Sequence, residues 1–286
     1  GGGLALINAP ETRINSDRDL NLFISNVAST GMFGLGGGLY VADSEQVSIE
    51  GGLFSNNIAC GGQIGSVGMG GAVRSLQSNM LEMTNLEFSG NVASVSGPGT
   101  GGALSVFTGQ DLGIADSKFQ RNVGSQGPGQ GVSGAIDLDN ITTAHLLNNK
   151  LLANVAAAYP DVMGLGGAVG IWNSSNVAAT GNEFAQNVGA AAGEGHGGAI
   201  IINDTQAITV YANKFQSNWA AMFGVLVSSG GGVEVGHAED ITVVGNNFYA
   251  NVGVLYSGEL SHDTIGEGGA LVAFAVDTMG VATNVF

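Results

Sequence analysis

Asp137 and Asp139, in the stretch GAIDLDN, are the pair of residues best suited by type and spacing to chemistry. On an extended strand, residues two apart face the same way, about 7 Å from each other. Two carboxylates so placed, with unequal proton affinities, can serve as general acid and base on a polysaccharide. The same residues also fit a plainer role as solvated acids on a strand face. Arg74 holds the position equivalent to Asp137 two repeats earlier, and no other basic residue shares that column. His196 lies in GHG inside a glycine turn, while His145, His237 and His262 are scattered without metal-ligand spacing. No EF-hand or calcium-binding nonapeptide is present. No cofactor is assigned, and scattered Ca2+ sites on the acidic surface stay open.

A second group suits contact rather than catalysis. Phe107, Trp172 and Phe274 each stand four residues past a glycine motif. If that column faces out, they form a broken aromatic platform for sugar rings or a protein partner; otherwise they pack beneath neighbouring loops. Five segments are too apolar for ordinary solvent loops: GMFGLG, GQIGSVGM, YPDVMGL, AMFGVLVSS and VLYSGEL. Their largest side chains include Met32, Phe33, Tyr159, Met163, Met222, Phe223, Leu255 and Tyr256. They either line one side as an apolar interaction stripe or tuck inward from short strands.

An internal repeat positions all of these side chains. The anchors Phe54, Phe88, Phe119, Leu151, Phe184, Phe215, Phe248 and Phe286 each follow the third residue of a glycine motif by 16 positions. From each anchor to the next motif, counting Phe23 as the first, the spacing varies from 15 to 22. One half is therefore a rigid cassette and the other tolerates insertion. Within the cassette apolar residues alternate, as in Leu104 with Val106 and Ile208 with Val210, which is the period of a strand. The density of glycine and β-branched residues argues against helix. Three residues past the anchors stand Asn26, Asn57, Asn91, Asn122, Asn154, Asn187, Asn218 and Asn251; another asparagine often precedes the anchor by two, as at Asn149 and Asn182. Asparagine tolerates left-handed turns and can bond an equivalent asparagine one layer away.

A coil of this size cannot bury its apolar face alone, whereas coils stacked about 4.8 Å apart set Phe on Phe and Asn on Asn. The expected fold is all-β: a right-handed parallel β-helix, one domain over residues 1–286. It has about eight coils of 31 to 34 residues with a larger last one, and three short strands per coil.

Composition narrows the partners. A formal charge of −16 repels phosphate backbones, so nucleic acid is excluded as a partner. No run approaches the roughly 18 to 20 apolar residues of a membrane helix. The single cysteine, Cys60, and the acidic, lysine-poor composition point to an exported protein. The chain opens at Gly1 without a signal segment, which reads as a processed or partial chain. Neither end carries a polar cap, so the repeat is expected to continue in a longer array or to join other copies end to end or laterally.

The motifs GGAV at Gly70 to Val73, GGAL at Gly101 to Leu104, GGAV at Gly166 to Val169, GGAI at Gly197 to Ile200 and GGAL at Gly268 to Leu271, with FxxN at seven of eight complete anchors, resemble a known family. They are similar to the repeats of chlamydial polymorphic outer-membrane proteins and related autotransporter passengers. That resemblance implies a surface-exposed β-helix acting in adhesion, with a host or matrix glycan or protein as partner. Pectate lyases and polygalacturonases also use parallel β-helices, but their companion Asp-Asp and RIK-like motifs are missing here. The expectation is an extracellular structural or adhesive scaffold, a filament or stalk component, and not an enzyme. The alternatives are a polysaccharide-acting enzyme around Asp137 and Asp139, or a carbohydrate-binding module using the three aromatics.

Overall fold

The computed structural model describes residues 1–15, 20–224, 228–257 and 266–286, with no helix among them. The alternation of apolar residues becomes strands, and each strand pairs in parallel with the same stretch one repeat later. Val73 lies opposite Leu104, Leu104 opposite Ile136, and Ile136 opposite Val169. The chain is thus a parallel β-solenoid built from one bent sheet of twenty strands and two of eight.

Inward residues at alternate positions, such as Leu104, Val106, Leu112 and Ile114, form one continuous core along the stack. The anchors run through it as a column of nearly parallel rings. Phe23, Phe54, Phe88 and Phe119 are 4.5 to 4.9 Å apart between successive centroids, as are Phe184, Phe215 and Phe248. Leu151 interrupts the column between Phe119 and Phe184 and is itself buried.

The asparagines form ladders. From Asn26 through Asn57, Asn91, Asn122, Asn154, Asn187, Asn218 and Asn251, each side-chain amide donates to the next Oδ1 at 2.8 to 3.0 Å. A second ladder runs from Asn149 through Asn182, Asn213 and Asn246 to Asn284. The left-handed residue is not the ladder asparagine but the one before it, as at Asn56, Arg121, Ala153 and Gln186. The ladder bonds hold that turn even where the residue is alanine or arginine.

The glycine corner is forced by close approach. Gly101 has φ +63°, and a Cβ there would stand 2.2 Å from the Leu104 carbonyl oxygen. Seven coils place glycine at this point; one places Ser133, at φ +57°.

One expectation needs correction. The three cassette strands all belong to the twenty-stranded sheet, and the insertion-tolerant half is not simply loop. It supplies the two eight-stranded sheets, through strands such as Val123–Ser125 and Gly131–Val132. These bring Met69, Thr100, Val132 and Leu165 alongside the outer face of the next cassette strand, and the resulting crease is where the site lies.

Candidate functional site

Asp137 and Asp139 do share the outer face of one strand, Ile136–Leu147. Their surroundings differ sharply. Asp137 is 3% exposed and bonded on both oxygens. Its Oδ1 accepts from Ser133 Oγ at 3.2 Å and from Trp172 Nε1 at 3.0 Å. Its Oδ2 accepts from Ser105 Oγ at 3.2 Å, and Ser105 Oγ in turn accepts from Arg74 Nη1. Asp137 is therefore not the solvated acid expected, because Ser133, Ser105 and Trp172 enclose it. Burial pushes its carboxyl up to about 6, against the pull of Arg74 and the three hydrogen bonds. Burial likewise lowers Arg74, with Asp137 working the other way.

Asp139 is half-buried and accepts a bond from Asn173 Nδ2 at 2.9 Å. Its column along the stack reads Leu76, Phe107, Asp139, Trp172, Asn203, Gly236, Phe274. Phe107 and Trp172 thus flank Asp139, one coil to either side. A hollow of about 330 Å³ opens between Asp139, Trp172, Asn173, Thr100 and Leu165, and a second of about 400 Å³ continues past Asp139 to Arg74, Phe107 and Met69. Together they make a groove along the stack. The Arg74 guanidinium sits 5.7 Å from the Phe107 ring centroid, a cation–π contact. Phe274 does not belong to this groove. It lies three coils past Trp172, leans over Gly236 and meets His237 edge to face at 5.7 Å. The three-residue platform reduces to a pair.

The sequence reading missed Ser133, Ser105 and Gly170. A signal for the first was present: SGAI breaks the run of GGA motifs at the coil that carries Asp137. Gly170 makes room for Trp172, because a Cβ there would stand 2.8 Å from Nε1 and 2.4 Å from Ser133 Oγ.

A further charged cluster follows along the same crease. His196 is held on one side by Glu194, with Nε2 to Oε1 at 3.0 Å, and on the other by Glu234 and Ser229, each 3.1 Å from Nδ1. Ser229 Oγ donates to Glu234 Oε2 at 2.7 Å. The hydrogen bond with Glu234 leads in raising His196 to about 9, over the opposing effect of burial. Held between Glu194 and Glu234, His196 is a cation pinned by two carboxylates. His145 lies exposed on another strand face, and His262 is outside the described residues.

The apolar stripe is interrupted. Met32 and Phe33 are exposed near one end, Tyr159 and Met163 in the middle, and Phe223 farther on, with Met222 half-buried. The intervening segments SVSGPG and SQGPGQ carry no large exposed apolar side chain. The side chains of Leu255 and Tyr256 lie outside the described residues. Among the described residues, no helix is long and apolar enough to cross a membrane.

No protein-family model and no curated protein sequence matches the chain. Among solved structures it is similar to tailspike protein 3 of bacteriophage CBA120, with 10% identity and a TM-score of 0.26 over 96% of this chain. The chain spans 50% of the length of that phage chain.

Proposed function

We propose that this chain is an extracellular adhesive β-helix: a stiff stack of coils that presents the groove around Asp139 and Trp172 to a partner outside the cell. The observation that carries this reading is the buried network from Arg74 through Ser105 and Asp137 to Ser133 and Trp172. A rod has no structural need for a desolvated cation and carboxylate at these positions, which the next two coils fill with the uncharged Gly170 and Ile201. The network fixes the walls of a groove instead. The acidic composition, the lone cysteine and the likeness of the GGA[ILV] and FxxN motifs to those of surface-exposed passengers support a location outside the cell. Lateral or end-to-end association would multiply weak contacts into avidity.

The reading is of contact without turnover, because Ser133, Trp172 and Ser105 already engage both Asp137 oxygens. To test it, the immobilised chain would be probed with a panel of glycans and matrix proteins. Wild type should bind at least one, Trp172→Ala should lose tenfold or more while still unfolding cooperatively well above the assay temperature, and Thr242→Ala, on another face, should bind as wild type. Absence of any binding, or binding indifferent to Trp172→Ala, would overturn the proposal. Asp137, raised to about 6 beside a more exposed Asp139, favours a second reading as a glycan-cleaving enzyme. Release of reducing ends from a polysaccharide, lost in Asp139→Asn, would put that reading in place of the first.

A further inference from the structure

We infer that the groove takes a neutral oligosaccharide lying along the stack, with one ring against Trp172, hydroxyls on Asp139 and the chain running on toward Phe107. The inference rests on the adhesive reading above and names its ligand class.

Spacing is the first ground. Phe107, Asp139 and Trp172 occupy one column on three successive coils, so the two aromatics stand about 10 Å apart along the stack with a carboxylate between. An apolar face, an acceptor and another apolar face match the alternation of C–H faces and hydroxyl edges along a sugar chain. An ionised carboxylate accepts and cannot donate, with about four lone-pair sites. Asn173 fills one of those on Asp139, and the others call for hydroxyl donors.

Charge is the second. An anionic sugar would meet Asp137, Asp139 and a chain of formal charge −16, while the nearby cation, Arg74, is already committed to Ser105 and Phe107. A cationic ligand, whether amino sugar or basic peptide, would be drawn to Asp139 but would find the cation–π face of Phe107 already taken by the Arg74 guanidinium. A neutral polyol meets neither penalty.

Rigidity is the third. The Trp172 indole leans over Gly170 with Nε1–H tied to Asp137, so it is in place before any ligand arrives and little side-chain freedom is lost on binding.

The test is titration calorimetry of the whole chain at pH 7 with six hexasaccharides. Four are neutral, built from β-linked glucose, mannose, galactose and N-acetylglucosamine; the others are hexagalacturonate and a chitosan hexamer. At least one neutral series should bind tenfold or more tightly than both charged ones. Trp172→Ala and Asp139→Asn should each weaken it tenfold or more, and Asp139→Asn, a half-buried side chain with a single bond, tests the site even if Trp172→Ala disturbs the coil. A charged hexasaccharide that binds as well as the best neutral one overturns the inference and leaves the adhesive groove standing. Failure of all six also overturns it, and the adhesive reading is then decided by matrix-protein binding to wild type against Trp172→Ala. Saccharide binding unaffected by either substitution overturns both.

Discussion

Asp137 is a side chain whose type was legible and whose role was not. Its position on an outward strand face follows from alternation, yet the residues that enclose it come from stretches up to 35 positions away, such as Trp172. Only the serine in SGAI marked the spot beforehand. Its enclosure has a measurable consequence. With the native pKa near 6 against an ordinary 3.8, the folded chain holds more protons than the unfolded one between those values, so this group's contribution falls as pH rises from about 4 to 6. Asp137→Asn keeps an acceptor for Trp172 and removes the titration. The melting temperature of wild type minus that of the variant should therefore drop across pH 4 to 7; a flat difference would contradict the assignment. His196 moves in the same direction over a higher pH range. Its raised pKa contributes stability that is complete below about 6.5 and lost as pH climbs through about 9. The advantage of wild type over His196→Gln should shrink between pH 7 and 10 in the same experiment.

Among the elements, the cassette was readable because its length never varies, so apolar period, ring column and asparagine ladder all keep register. The other half was not, because strands as short as Gly99–Thr100 and Gly131–Val132 carry glycine and no alternation to detect. What holds a coil can be ranked. Asn122 donates to Phe88 O and Asn154 Oδ1, and accepts from the backbone and side-chain amides of Asn91. Asn122→Ala leaves several buried groups without partners, each costing about 1 to 3 kcal/mol, so a total loss of about 3 kcal/mol is expected. Phe119→Ala, which opens a cavity beneath Phe88, should cost about 3 to 5 kcal/mol. Urea denaturation would measure both, with exposed Thr242→Ala expected within about 0.5 kcal/mol of wild type. A ladder variant as stable as that control would mean that stacked asparagines add little beyond register.

At the scale of the whole molecule, each coil touches only the coils before and after it, so stability is approximately a sum of local terms and nearest-neighbour interfaces. Coils with a neighbour on both sides bury their rings fully. The first and last are left open within this chain: the inward-facing Leu4 and Phe286 are 37% and 69% exposed, whereas their counterparts Leu39 and Phe215 are buried. Hydrogen exchange on the 286-residue chain should therefore be graded rather than uniform. Amides of Val73–Ser89, Leu104–Ala115 and Ile136–Leu147 should exchange slowest, and those of Leu4–Ile7 and Leu271–Val276 fastest. A bound oligosaccharide would bridge the coils of Phe107, Asp139 and Trp172 and lower exchange there. Because coupling passes only between neighbours, protection should fade within a coil or two and leave Leu271–Val276 unchanged. Protection that spread evenly to both ends would instead reveal a cooperative unit as long as the chain, and a ligand effect centred elsewhere would move the binding face away from the groove.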